Sequence, residues 1–430
     1  MATASDVSQG PVRQRLIEAW DAAQPDVRVE IVKLPAAADN ARSQLVAELQ
    51  SGSADYDVVN IDVAWTAEFA AGKLIRPLDW SLPEGMWPQV AETARLGGET
   101  WAVPFNTDAA LLYYRNDIWK DENWQPPTSW GELNTLAAEV EDENQVEQTF
   151  PKGYATQLDS YEGLTVNAQE AVWAHGGELV DSEGEVRARS PETQQGLSDL
   201  VERYNEVMPK ESITADERDT LEMFRDEEVA FMRNWPYVYN VLSAEGSKVK
   251  GKFGVVPLPV LVGRAGSVLG GQNLAITESS DHSADARRLL RYLVRPAQQR
   301  CLLDAGFAPV LRESYEPGGP ACSLPDSGSA GGGSSEAGSS GGDSGGKDEE
   351  GGEDEDPGQV AEKGADGLPE YTDELKAALG NARTRPVTPY YAAFTELVQT
   401  KVHKMLEGDP GKDTVATALD RSLRKVLKGG

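Results

Sequence analysis

The sequence predicts an α/β protein in which mostly parallel sheets are flanked by helices. Three observations support this fold class. Apolar stretches of strand length alternate with stretches of helical periodicity along most of the chain. The length of 430 residues is enough for two or three domains with cores of their own. No uninterrupted apolar stretch reaches the roughly 18 residues that indicate a membrane-spanning helix.

The predicted elements follow one another in a regular order. Strands are expected at residues 27–34, 56–61, 101–105, 109–115, 154–158, 229–232, 253–256 and 269–277. Helices are expected at residues 11–23, 39–50, 63–71, 130–141, 163–175 and 236–245. Most of the chain after residue 286 is also expected to be helical. Asp39 is suited to cap the second helix, and Gly72 to end the third.

The charge balance excludes one class of partner. The chain has 71 acidic and 40 basic side chains, which gives a net charge of −31 at pH 7. Nucleic acid is not an expected partner, because binding its phosphates needs clustered Lys and Arg. Part of the acidic excess lies in residues 323–367, which are rich in Gly and Ser and have almost no large apolar side chains. We interpret them as a disordered acidic insertion.

Cys301 and Cys322 are the only cysteines. The loop between them is short enough for one disulfide, which would indicate an oxidising location; two unpaired buried thiols are the alternative. Their spacing matches no metal-binding pattern. We therefore expect no metal and no other cofactor.

Polar and aromatic side chains fall where predicted strands end and the following helices begin. In open α/β sheets, ligands bind beyond the carboxyl ends of the strands. The candidate residues at these positions are Arg42, Asp62, Asp108, Tyr161, Glu162, Trp235, Tyr237, Gly270, Gly271 and Gln272. Carboxylates accept hydrogen bonds from paired hydroxyls, and ring faces stack on the apolar faces of a pyranose. The set therefore predicts binding of a neutral polyol.

Each candidate also has a purely structural interpretation. Asp62 could cap a helix, Glu162 could be an acidic residue in a first helical turn, and Trp235 could belong to the core. A glycoside hydrolase is the enzymatic alternative, since Asp62, Asp108 and Glu162 could supply its two carboxylates. Only three histidines are present for other acid–base chemistry. We predict no catalytic residue.

Seven segments occur in a characteristic order. They are DYDVVNIDVAWTAEFAAGKLIRPLD, ALLYYRNDIW, PPTSWGEL, SYEGLTVNAQEAVWAHGGELVD, FRDEEVAFMRNWPY, VVPLPV with GSVLGGQNLAI, and RPVTPYY. In this order they resemble the extracellular solute-binding proteins (family 1) of carbohydrate ABC importers, and most of all the trehalose/maltose-binding group of actinobacteria. The resemblance covers the chain except its beginning and the acidic insertion.

The resemblance implies a two-lobed periplasmic-binding-protein-like fold of type II with a hinge between the lobes. The N-terminal lobe is expected to comprise residues 1–108 and 268–314, and the C-terminal lobe residues 109–267 and 368–430. The resemblance also implies that Asp62, Asp108, Tyr161, Glu162, Trp235, Gly270 and Gly271 contact sugar. It adds Arg385, within RPVTPYY, to the candidates.

The function implied by the resemblance is capture of a neutral sugar in the cleft and its delivery to an ABC permease in the membrane. An α-linked disaccharide such as trehalose or maltose is the expected cargo; an oligosaccharide, a glycoside or an anionic metabolite is the alternative. Gln272 stands where the family usually has an aromatic residue, which weakens the disaccharide expectation. The family also implies a monomer, and an extracellular lipoprotein whose signal peptide is absent from this sequence.

Overall fold

The structure is a computed structural model that describes residues 1–4, 11–119, 124–140, 152–260, 266–324, 363–408 and 412–428. Its strands are β1 (Ala2–Thr3), β2 (Val32–Lys33), β3 (Val58–Asp62), β4 (Arg95–Leu96), β5 (Glu99–Thr100), β6 (Val103–Ala109), β7 (Leu111–Arg115), β8 (Lys152–Ala155), β9 (Val229–Asn234), β10 (Phe253–Pro257), β11 (Leu269–Ile276) and β12 (Ala308–Pro309).

Fourteen α-helices surround these strands in the described part of the chain. They are α1 (Val12–Ala22), α2 (Ala38–Gln50), α3 (Thr66–Ala71), α4 (Pro88–Glu92), α5 (Trp130–Glu139), α6 (Glu162–Ala174), α7 (Pro191–Val207), α8 (Glu217–Arg225), α9 (Val238–Ser243), α10 (Ser283–Leu293), α11 (Pro296–Asp304), α12 (Thr372–Gly380), α13 (Tyr391–Leu406) and α14 (Lys412–Val426).

Ten of the twelve strands form two sheets, one in each lobe of a two-lobed α/β fold, and β4 and β5 form a separate antiparallel pair. The first sheet has the order β12-β6-β11-β3-β1-β2, and the second has the order β10-β7-β9-β8. Helices α1, α10 and α11 pack on the first sheet through apolar side chains such as Leu16 and Leu289. Helices α6, α7 and α13 carry the core beside the second sheet, where Leu164, Leu197 and Phe394 are buried.

The expectation of mostly parallel sheets is wrong, because most neighbouring strands pair antiparallel. Parallel pairing is limited to β1 with β2 and β3, and to β8 with β9. Strands β11, β12, β7 and β10 make antiparallel pairs. The reason is topological, because β11 lies between β3 and β6 and runs against both of them. The sheets are therefore mixed.

Most predicted elements occur, with shifted ends. Of the strand predicted at residues 27–34 only β2 forms, and β1 pairs in register beside it. Asp39 lies in the first turn of α2, whose N-cap is Ala37, so Asp39 is not the cap. Gly72 does end α3.

The chain passes directly from one sheet to the other between β6 and β7, which are separated by a single residue, Ala110. A second passage leads into β11, where the Arg383 carbonyl accepts from the Leu269 N–H at 2.6 Å and the Arg383 N–H donates to Ser267. These passages lie near the lobe boundaries expected at residues 108/109 and 267/268. The boundaries themselves stay a prediction.

Cys301 and Cys322 are joined in a disulfide, with their Cα atoms 4.6 Å apart. Most of the acidic insertion lies outside the described residues. Its described ends contact α11: Gln298 donates to the Ser323 hydroxyl at 3.0 Å, and Arg300 donates to the Gly367 carbonyl at 2.6 Å. The disorder expected of the insertion stays a prediction. Among the described helices, none combines the length and the apolar character needed to cross a membrane.

Candidate functional site

Arg385 joins two of the predicted carboxylates. Its Nη2 donates to Oδ1 of Asp62 at 2.6 Å, and its Nη1 donates to Oε1 of Glu162 at 2.6 Å. Asp62 ends β3 in the first sheet, whereas Glu162 begins α6 beside the second. The Arg385 side chain is 2% exposed. One buried guanidinium therefore connects the two lobes at the strand ends that the sequence indicated.

Both structural interpretations of these carboxylates are incomplete. Asp62 does accept from the backbone N–H of Ala64 at 2.8 Å, but it is not the N-cap of α3, which is Trp65. Glu162 is in the first turn of α6, yet it is buried and its Oε2 accepts from the Thr395 hydroxyl at 2.7 Å. Burial raises the pKa of Glu162, and Arg385 opposes that shift.

The network continues from Glu162 into α13 and α2. The Tyr391 hydroxyl donates to Glu162, and Gln399 donates to the Thr395 hydroxyl at 2.9 Å. Gln399 also reaches Asp39 at 3.4 Å, and burial raises the pKa of Asp39. The first turn of α2 therefore belongs to the same polar network, a role that its position in the sequence did not indicate.

Asp108 lies beside this network on β6 and inside the strand rather than after it. Burial and the nearby Asp62 carboxylate raise the pKa of Asp108 to about 8, against the lowering effect of Arg233. Its carboxyl group is therefore mostly protonated at neutral pH. A protonated carboxyl group both donates and accepts hydrogen bonds, which suits contact with a hydroxyl.

Asp108 should make stability fall as the pH rises. Its pKa is 3.8 unfolded and about 8 folded, so the folded protein binds more protons between these values. The loss should approach about 1.4 kcal/mol per pH unit within that window. Asp108→Asn, which mimics the neutral acid, should remove this slope. Urea unfolding of both proteins at pH 5, 6.5 and 8 tests this, and parallel stability curves would contradict it.

Trp235 follows β9 directly and is half-buried, with one part packed against a small apolar cluster that includes Val166 and Val268. The Arg233 guanidinium lies 4.1 Å from the centre of its ring. A Cβ at Gly270 would come within 3.1 Å of the ring atom Cζ3 and 3.2 Å of the Asp108 Cβ. Because Gly270 has no side chain, the Trp235 ring and Asp108 can lie against β11.

Glu217 is a site residue that the sequence did not single out. Its Oε1 accepts from the indole Nε1 of Trp235 at 3.2 Å, and its Oε2 accepts from the Tyr161 hydroxyl at 2.6 Å. Glu217 is the first residue of α8, whose N-cap Asp216 holds the start of the helix in place. One carboxylate therefore orients both predicted aromatic residues. Several other helices also have an acidic residue in the first turn, so the sequence gave no reason to select Glu217.

Gln272 lies in the first sheet between two polar neighbours. It is paired in register with Asp62 on β3 and with Asn106 on β6. Gly271 before it has a φ of +108°, and a Cβ there would come within 2.4 Å of the Asn106 carbonyl oxygen, so only glycine fits. Asp62, Gln272 and Asn106 form a polar row across the sheet, and Asp108 lies two residues from Asn106 along β6.

Two predicted residues lie at the margin of this arrangement. Arg42 forms an ion pair with Glu68 on α3, and its charge opposes the raised pKa of Asp39. Tyr237 is half-buried; burial raises the pKa of its hydroxyl, and the nearby carboxylates of Glu217, Asp216 and Asp108 raise it further. Among the described residues no group of His, Cys, Asp and Glu side chains is arranged to hold a metal ion.

A family model for the bacterial extracellular solute-binding proteins matches residues 4–300 of the chain. The chain belongs to this family. A solute-binding protein captures its solute without converting it, so the glycoside hydrolase alternative is rejected. The two-lobed type II fold implied by the sequence resemblance is confirmed.

Individual relatives of this solute-binding protein are similar over most of its length. A "Probable ABC transporter-binding protein" of Deinococcus radiodurans is 31% identical over 320 residues, which cover 73% of this chain and 76% of the relative. The maltose-bound MalE3 of T. maritima superposes with a TM-score of 0.81 at 26% identity, covering 99% of both chains. A solute-binding protein of Thermotoga lettingae bound to α-D-tagatose has a TM-score of 0.78 at 21% identity, covering 99% of this chain and 98% of the other.

Proposed function

We propose that this solute-binding protein captures a neutral sugar between its lobes and delivers it to the membrane permease of an ABC importer. The observation that supports this proposal is that carboxyl groups and oriented aromatic rings lie close together where the two lobes face each other. Asp62 and Asp108 offer hydrogen bonds to hydroxyls, Glu162 holds Arg385 against Asp62, and Glu217 holds Trp235 beside Asp108. The maltose held by the similar MalE3 supports a sugar as cargo.

The finer parts of the proposal follow from the family resemblance. The cargo is an α-linked disaccharide such as trehalose or maltose, and its contacts are Asp62, Asp108, Tyr161, Glu162, Trp235, Tyr237, Arg42, Gly270, Gly271, Gln272 and Arg385. The protein acts as a monomer. In its full-length form it is a lipoprotein anchored at the outer face of the membrane.

Calorimetry against monosaccharides, disaccharides and sugar alcohols tests the proposed function. We expect micromolar or tighter binding of at least one α-linked disaccharide. The same disaccharide should remain intact after overnight incubation with the protein. Binding of an anionic metabolite with no binding of any neutral sugar would contradict the proposal, as would release of monosaccharide.

Trp235→Ala should weaken sugar binding about 5- to 150-fold, which corresponds to about 1–3 kcal/mol, because a ring held in place stacks with little loss of entropy. Trp80→Ala is a matched control. Trp80 is also half-buried and has a guanidinium, that of Arg291, 4.6 Å from its ring centre, but it lies away from the site. Calorimetry and thermal melting of both variants would contradict the placement of the cleft if both bind like the parent.

A further inference from the structure

We infer that Gln272 selects the cargo by presenting the two N–H donors of its amide to the cleft. The cargo must then place a hydroxyl oxygen beside β11, rather than the apolar face of a ring. This inference rests on the proposed function and narrows its substrate class. It makes Gln272 a specificity-determining residue of the site.

The orientation of the Gln272 amide is determined by its neighbours. Nη2 of Arg13 donates to its Oε1 at 3.1 Å, and Nδ2 of Asn60 donates to the same atom at 2.6 Å. A guanidinium has donors only, so the atom facing Arg13 must be the oxygen. The reversed amide would set its own N–H groups against a cation. Oε1 is therefore fully engaged on the protein side.

The amide nitrogen is left for a ligand. Among the described residues Nε2 of Gln272 has no hydrogen-bond partner, and this nitrogen is not enclosed by protein but reaches solvent. The side chains of Asp62 and Asn106, which are paired in register with Gln272, do not accept a hydrogen bond from Nε2. Asp62 is paired with Arg385, and Asn106 donates weakly to Asp108 at 3.4 Å while its own Oδ1 is buried without a partner among the described residues.

A cargo that covers this polar row must supply hydrogen-bond acceptors for the N–H groups of Gln272. Covering the Gln272 N–H groups with a CH face of a sugar ring would leave two donors without acceptors, which costs more than the burial of the ring face gains at one contact. A sugar hydroxyl oxygen at the same place accepts a hydrogen bond from the amide N–H groups. The polar row therefore favours cargo whose hydroxyl-bearing edge faces β11, with any ring stacking confined to the side of Trp235 and Tyr161.

Gln272→Glu tests the inference while keeping the protein side satisfied. The carboxylate still accepts from Arg13 and Asn60, so the melting temperature should be retained. The variant has no donor for the cargo, and its affinity for the parent's sugar should fall about tenfold or more. Gln194→Glu is the matched control: Gln194 lies on α7, donates to the Arg189 carbonyl and receives the same change of charge away from the cleft.

A second readout separates a donor from a structural role. On the parent protein, at one position of the sugar, the deoxyfluoro analogue should bind better than the deoxy analogue, because fluorine still accepts a hydrogen bond. Gln272→Glu should abolish or reverse that preference. If Gln272→Glu melts at a lower temperature than the parent, the preference of the parent protein for the deoxyfluoro over the deoxy analogue still tests the inference. Sugar binding that Gln272→Glu leaves unchanged, or no fluoro preference at any position, overturns the inference alone. A parent protein that binds no sugar overturns the proposed function as well.

Discussion

Replacing Arg385 with alanine should lower the free energy of unfolding by about 3–5 kcal/mol at neutral pH, because it leaves a buried carboxylate without its counter-ion. The Glu162 side chain is 7% exposed and that of Asp62 is 23% exposed, so water cannot solvate Glu162 in place of the guanidinium. Sugar affinity should fall as well, since Arg385 joins the two lobes at the site.

The expected loss of stability in Arg385→Ala is attributed to the buried Glu162 carboxylate, and a second substitution tests this cause. Adding Glu162→Gln to Arg385→Ala should recover much of the lost stability, because the neutral amide carries no buried charge. Arg383→Ala is the matched control, two residues away. Its ion pair with Glu178 is 34% and 22% exposed and should contribute at most about 1 kcal/mol. Urea unfolding measures all three variants; equal losses for Arg385→Ala and Arg383→Ala would contradict the account.

Replacing Glu170 with alanine should have a similar effect of about 3–5 kcal/mol, because it isolates the buried cation of Arg233. The two side chains are 1% and 3% exposed and are joined by two hydrogen bonds of 2.8 and 3.0 Å. Glu170 also accepts from the backbone N–H of Val268 at 3.0 Å, just before β11. The same substitution therefore removes the support of the passage between the lobes.

The loss should extend to sugar binding, because Arg233 lies under the Trp235 ring. Arg233 without its partner is expected to shift toward other acceptors such as Gln157, to which Nη1 already donates at 3.1 Å. Glu222→Ala is the control, since its ion pair with Arg218 is exposed to solvent and should contribute little to stability. Denaturation and calorimetry would contradict the argument if Glu170→Ala retained both stability and affinity.

The sequence by itself determined where most helices and strands lie and which strand ends carry polar residues. Periodicity is a local property, so α1, α2 and α6 could be located from the spacing of their apolar residues. Asp62 and Trp235 could be located because each follows an apolar strand. A recognisable order of motifs added Arg385, which composition alone would not have separated from the other arginines.

The tertiary structure alone decided which of these residues meet. Asp62 and Arg385 are 323 positions apart, and no local pattern encodes their ion pair. The same holds for the antiparallel placement of β11, for Glu217 between Tyr161 and Trp235, and for the orientation of the Gln272 amide. These features depend on contacts between residues that are far apart in the sequence, and a local pattern such as periodicity carries no information about them.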